Sequence, residues 1–278
     1  MSSQLPSAGV GIIPRALLTS GRKARPLSQT FSATYASHPP SQQHVFEYKE
    51  FTGFPDDASV PLSYWYLLAQ RAQLGLMMDP RFSYPVAGIV HISNTMQRCG
   101  PVDLSQTIDI EVSASQEPMD ERGALYVNFD VLISQRGAAQ VRCESRYLTK
   151  RAGMRTGQSE IAKEHDADFL HLADWALESG VGRQYAKISG DYNPIHLWPW
   201  SAKLLGFKKP IAHGMFLVAK TQAVLEQTIG TPVTHMSATF LKPAMVPGQL
   251  RLERMADRYR ILAGATVCAT GTFSGEKV

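Results

Sequence analysis

Three cysteines in 278 residues, at positions 99, 143 and 268, are too few and too scattered for a disulfide framework, and they point to a reducing compartment. Each reads as a small core residue rather than a nucleophile. No apolar run reaches the ~18–20 residues that a membrane-crossing helix needs. No Gly-rich stretch has the pattern of a dinucleotide or P-loop phosphate cradle, and no His, Cys and Asp set has the sequence spacing of a metal site. The net charge is +4 without a basic tract, which argues against a nucleic-acid surface and leaves a mild positive face for a phosphate-bearing carrier. Acid is missing altogether from residues 1–46, where Arg15, Arg22, Lys23 and Arg25 stand among many Ser and Pro. Mitochondrial transit peptides share that composition. So do extended arms that pack on the body of a protein, and Ile12-Ile13-Pro14 and Ala16-Leu17-Leu18 would give an arm apolar grip.

What is present is a packed globular chain, with 44% hydrophobic and 19% charged residues, long enough for two domains after an arm over residues 1–43. A first domain spans 44–148. Its pattern gives a helix over 64–78, then strands starting at 89 and over 107–112, 124–133 and 140–148, with a hairpin turn at Gln135-Arg136-Gly137. Residues 149–167 are polar and aperiodic and read as a linker. A second domain spans 168–278. It has a short extended piece at 174–177, helices through 185–188 and from Gly214, strands near 233–241, 249–256, 258–263 and 265–273, and a turn at Ala256-Asp257-Arg258.

The second domain repeats the first. Tyr48-Lys49-Glu50-Phe51-Thr52-Gly53 parallels Tyr185-Ala186-Lys187-Ile188-Ser189-Gly190, and Phe82–Ala87 parallels Phe207–Ala212. The copies differ where polar chemistry sits. Phe54 follows Gly53 where Asp191 follows Gly190, no His follows in the first copy, and the second copy's His213-Gly214 corresponds to Gly88-Ile89.

The stretch from Tyr185 to Ala219 therefore carries the chemistry. Asn193 before Pro194 has the residue types of a helix start. His196 would then lie in a first helical turn, where the dipole disfavours its protonation. Asp191 lies across the turn, so the two side chains can meet around one water as acid and base. Gly214 opens an apolar helix with a free backbone N–H, suited to a carbonyl oxygen that gains negative charge. Ser189, Asn193 and His213 read as supports of this loop. Trp198 and Trp200 read as packing residues, and His91 as a satisfied core or surface histidine.

The run S-G-D-x-N-P-I-H-x5-A at Ser189–Ala202, followed by G-F-x-x-P-I-A-H-G-M at Gly206–Met215, closely resembles the signature of the MaoC-like (R)-specific enoyl-CoA hydratase and dehydratase family. The resemblance implies an α+β, double hot-dog fold: two curved antiparallel sheets, each wrapped round a long central helix, here Gly214–Gln227 in the second copy. It implies Asp191 and His196 as the catalytic pair and the Gly214 amide as oxyanion donor. It also implies a degenerate first half that holds the acyl chain. Some members have a serine two turns into the central helix, where this chain has Gln222. The implied reaction is reversible hydration of trans-2-enoyl thioesters to (R)-3-hydroxyacyl thioesters in fatty-acid metabolism, with no cofactor or metal. The carrier is CoA or acyl carrier protein, with Lys208, Lys209 and Lys242 as candidates for its phosphates. The halves would form a pseudo-dimer within one chain, and a homodimer stays open. The N-terminal stretch is similar to the start of bacterial two-domain members, which favours a cytoplasmic protein over a mitochondrial one. Two alternatives remain. One is a thioesterase, for which Glu226 stands too near the end of its helix; the other is a non-catalytic acyl-thioester-binding subunit.

Overall fold

The computed structural model describes residues 3–7, 19–57, 59–121, 123–150 and 168–276. Most of the linker, with arm residues 12–18, lies outside them. The first half runs β1 (Ser3–Gln4), β2 (Phe31–Ser37), α1 (Gln42–Thr52), α2 (Tyr66–Met78), β3 (Val90–Arg98), β4 (Ile108–Gln116), β5 (Leu125–Gln135) and β6 (Ala138–Lys150). The second runs β7 (Leu170–Leu177), α3 (Val181–Ser189), α4 (Pro199–Leu204), α5 (Gly214–Ile229), β8 (Val233–Phe240), β9 (Gly248–Met255), β10 (Arg258–Ala263) and β11 (Thr266–Gly275).

Alternation makes the strands. Ile108, Ile110, Val112 and Ala114 of β4, and Leu125, Val127, Phe129, Val131 and Ile133 of β5, turn one buried face inward. Arg136 and Gly137, both at positive φ, close the β5–β6 hairpin. The helices have clear ends. Ser41 caps α1 by accepting from the His44 amide, and Gly53, Gly190 and Gly230 end α1, α3 and α5 in the left-handed conformation. Helix α5 is buried over most of its surface, as a helix enclosed by a curved sheet must be.

The strands form one eleven-stranded sheet in the order β1-β2-β4-β5-β6-β3-β8-β11-β10-β9-β7. Each half supplies five antiparallel strands, and β3 pairs antiparallel with β8 at the seam, Met96 opposite Met236. The two hot-dog sheets are thus continuous. The arm lies on the first half: β1 pairs with β2, and the Arg22 guanidinium donates to the carbonyls of Met77, Met78 and Asp79 at the end of α2.

Four expectations change. Phe31–Ser37, counted with the arm, is a strand paired along its length with β4, so the first half begins before residue 44. The repeat is right at Gly53 and Gly190 but wrong at Phe82–Ala87, because β3 and not a helix follows Gly88. The counterpart of α5 is α2, reached from Gly53 through only eight residues before the 3-10 turn at Leu62, whereas 23 residues separate Gly190 from Gly214. Cys99 is exposed, although Cys143 and Cys268 are buried. Trp198 and Trp200 are exposed on and beside α4; the guanidinium of Arg183 lies 3.9 Å from the Trp198 ring centroid.

Candidate active site

The loop after α3 is built from short side-chain to backbone bonds. Ser189 Oγ accepts from the Asp191 amide, Asp191 Oδ1 from the Asn193 amide, and Asn193 Oδ1 from the Ile195 amide. Pro194–His196 forms a single 3-10 turn rather than a full helix. The macrodipole expected to keep His196 neutral is therefore slight; burial lowers its pKa instead, against the opposing pull of Asp191 and the Ile211 carbonyl.

Asp191, His196 and His213 meet, with one ligand-type atom from each lying within 4.8 Å of the others. Backbone carbonyls set both tautomers. His196 Nδ1 lies 2.8 Å from the Ile211 oxygen and His213 Nε2 lies 3.0 Å from the Asp191 oxygen, so each neutral ring donates there and presents its other nitrogen as an acceptor. His213 Nδ1 is buried without a partner among the described residues. The rings stack with centroids 3.7 Å apart. Burial, then the neighbouring His196, push the His213 pKa down to about 3. Burial favours the neutral form of Asp191. His213 and His196 outweigh it, together with hydrogen bonds from Gln70 and the Asn193 amide, and hold the carboxyl below its ordinary range.

His213 is the N-cap of α5, and Gly214 is its first residue. First-turn amides have no intrahelical acceptor, so this end offers N–H donors beside the Asp–His cluster. Glycine is required there by packing: a Cβ on Gly214 would lie 2.6 Å from Phe240 Cε1.

Two contributors escape sequence reasoning. Gln70, on α2 of the other half, donates to Asp191 Oδ2 at 2.8 Å. Its signal was a polar side chain inside an apolar helical run, one turn after Tyr66. Gly182 of α3 touches the His196 carbonyl, and any Cβ there would collide with that oxygen. His91 is a core histidine satisfied at one nitrogen: its Nδ1 lies 3.4 Å from the Tyr66 hydroxyl, its Nε2 is buried without a partner among the described residues, and its ring stacks on Tyr66 and Tyr147 and packs on Phe240.

The fold gathers a metal-type donor set that sequence spacing did not reveal. Two of these three groups also suit a water molecule, which donates two hydrogens and keeps its oxygen lone pairs. Lys208, Lys209 and Lys242 are exposed on two loops that adjoin through the Ile211–Met245 bridge. Gln222 is buried away from solvent, with Oε1 accepting from the Ser63 amide of the first half and Nε2 donating to Glu226.

Residues 160–272 match the MaoC like domain family. The 3-hydroxyacyl-thioester dehydratase X of Mycobacterium tuberculosis is 26% identical over 217 residues, covering 78% of this chain and 77% of that one. The (R)-specific enoyl-CoA hydratase of Aeromonas caviae is 33% identical over 72 residues, covering 25% of this chain and 54% of that one. The crystal structure of Mycobacterium tuberculosis HtdX superposes with a TM-score of 0.73 at 24% identity, covering 88% of this chain and all 100% of that one. A MaoC-like dehydratase from Phytophthora capsici does so at 0.72 and 16% identity, over 90% and 96% of the two chains. Residues 160–272, which hold Asp191, His196 and Gly214, are thus a MaoC-like domain, in a chain whose described fold is that of the MaoC-like dehydratases.

Proposed function

We propose that the protein interconverts trans-2-enoyl and (R)-3-hydroxyacyl thioesters of fatty-acid metabolism by adding and removing water. The observation that carries this reading is the pairing of an ionised Asp191 with the bare Nε2 of a neutral His196, beside the first turn of α5. In hydration, the two groups hold a water between them. One takes its proton as the oxygen bonds to C3, and a proton is delivered to C2. Negative charge passes onto the thioester oxygen, which the Gly214 N–H stabilises as the enolate forms. Dehydration is the reverse. Ser189, Asn193 and His213 keep the loop in shape. The first half, which has Phe54 where the second has Asp191, no histidine at the corresponding turn, and an Asp57 taken up by Lys49, holds the acyl chain. The names of the mycobacterial and Aeromonas relatives support the reaction class.

No metal or redox cofactor enters this scheme; Asp191 and His196 hold the water. Three unpaired cysteines fit a reducing compartment such as the cytoplasm, and no described helix is long and apolar enough to cross a membrane. A thioesterase would need an acid midway along α5. Glu226 instead accepts from Gln222 and from the Val233 amide near the helix end.

The test is turnover of enoyl-CoA and of 3-hydroxyacyl thioesters by wild type, Asp191→Asn and His196→Ala. Each substitution should cost at least ~10²-fold in kcat, and prolonged chelation by EDTA should leave the wild-type rate unchanged. Equal rates in all three proteins would reject the assignment, and a rate abolished by chelation and restored by a divalent cation would make the cluster a metal centre.

A further inference from the structure

A cavity of about 480 Å³ opens beside the catalytic loop. Both halves line it, with Leu67, Leu68 and Arg71 from α2 and Lys187, Gly190 and Tyr192 from the segment of α3 and the turn beyond it. Its size is that of a small-molecule site.

Its sign is one-sided. No Asp or Glu lines it among the described residues, whereas Arg71 and Lys187 do. His44 is committed elsewhere, its Nε2 lying 2.8 Å from the Ile188 oxygen and its Nδ1 2.6 Å from the Tyr64 hydroxyl. Arg71 is partly buried, and its recorded partner is neutral: Nε donates to the Pro6 carbonyl at 2.7 Å. Among the described residues no carboxylate meets it, and desolvation lowers its pKa. A guanidinium withdrawn from water without a counter-ion is costly, and its planar fork matches the oxygens of a phosphate. The cavity also adjoins the loop that carries Asp191. Gly190 and Tyr192 flank Asp191 in the chain, and Gln70, which binds the Asp191 carboxylate, precedes Arg71 on α2.

We propose that this cavity receives the phosphate-bearing pantetheine arm of the acyl carrier, with Arg71 and Lys187 on the phosphate. The thioester then reaches Asp191 from this side and not past Lys208, Lys209 and Lys242. The identity of the ligand as an acyl carrier rests on the hydration reading; the cavity's preference for a phosphate does not.

Titration calorimetry of the full chain with 4′-phosphopantetheine and with pantetheine isolates the phosphate. The phosphorylated arm should bind roughly tenfold tighter or better. Arg71→Gln and Lys187→Gln should each remove most of that advantage, and Arg71→Lys should retain part of it. In turnover, the preference for crotonyl-CoA over crotonyl-N-acetylcysteamine should fall by a similar factor in the same variants, and crotonyl groups on CoA and on acyl carrier protein separate the two carriers that share this phosphate. Equal affinity for the two arms overturns the proposal. So does an advantage that survives Arg71→Gln and is lost in Lys208→Gln or Lys242→Gln. Arg71-dependent binding by a protein that hydrates neither ester would uphold the cavity and reject the hydration reading instead.

Discussion

Gln70 reaches Asp191 from the other half of the chain, and its effect on the carboxylate can be separated from the space it fills. Gln70→Leu keeps similar bulk and removes a hydrogen bond to a charged group, about 1.5–3 kcal/mol. A kcat loss of roughly ten- to a hundredfold follows, with KM little changed. Gln70→Glu would set a second carboxyl 2.8 Å from the first. Two carboxylates at that distance share a proton, so the acid limb of the pH–rate profile should move upward and the rate recover as pH rises. A Gln70→Glu profile that overlays the wild type would mean that the residue only packs. Asp191, Asn193 and His196 were legible in the sequence because one local turn defines them. Gln70 and Gly182 were not, because their contributions exist only when α2 and α3 are brought against that turn.

At the scale of elements, strands with a regular buried face could be read directly, as in β4 and β5. β2 could not. In Phe31-Ser-Ala-Thr-Tyr-Ala-Ser only Phe31 and Tyr35 are buried, four residues apart among small polar side chains, so the period of two is faint. The equivalence of α1 and α3 showed in their terminal glycines. That of α2 and α5 was hidden by the difference in the connections before them. Gln222 is a lock between halves, joining α5 to the backbone at Ser63. Gln222→Leu leaves that buried N–H and the Glu226 carboxylate each short of a partner, at a cost of about 2–4 kcal/mol. A drop of roughly 5–10 °C in Tm is the expected outcome, and an unchanged melting curve would count against the lock.

The whole molecule holds buried histidines neutral, and this ties its stability to pH. Burial pushes His91 down to about 4 and His213 down to about 3. Unfolded, each would bind a proton near its ordinary value of about 6.5. Between those values the unfolded state carries more protons, so stability falls as pH drops below about 6.5. Asp191 acts in the same direction lower down. Its folded pKa is depressed, so its contribution is full above the unfolded value and is lost as pH falls through the folded one. Thermal unfolding should therefore show Tm declining from pH 7 to pH 4, as unfolding free energy is lost at roughly 1 kcal/mol per pH unit for each buried histidine. His91→Phe, which suits the stack with Tyr66 and Tyr147, should flatten part of that slope. A slope identical to wild type would place the proton uptake elsewhere.

The pairing of β3 with β8, Met96 against Met236, places two equivalent strands across a local twofold. In a dimer of separate chains, such a seam is an association equilibrium, and an active site completed across it is lost on dilution. Here one covalent chain carries both partners, and their effective concentration is fixed near the millimolar range expected for short tethers. Specific activity should stay flat on dilution from micromolar to nanomolar enzyme. A chain divided between residues 150 and 168 should instead follow the law of mass action and recover activity only as its two pieces are concentrated.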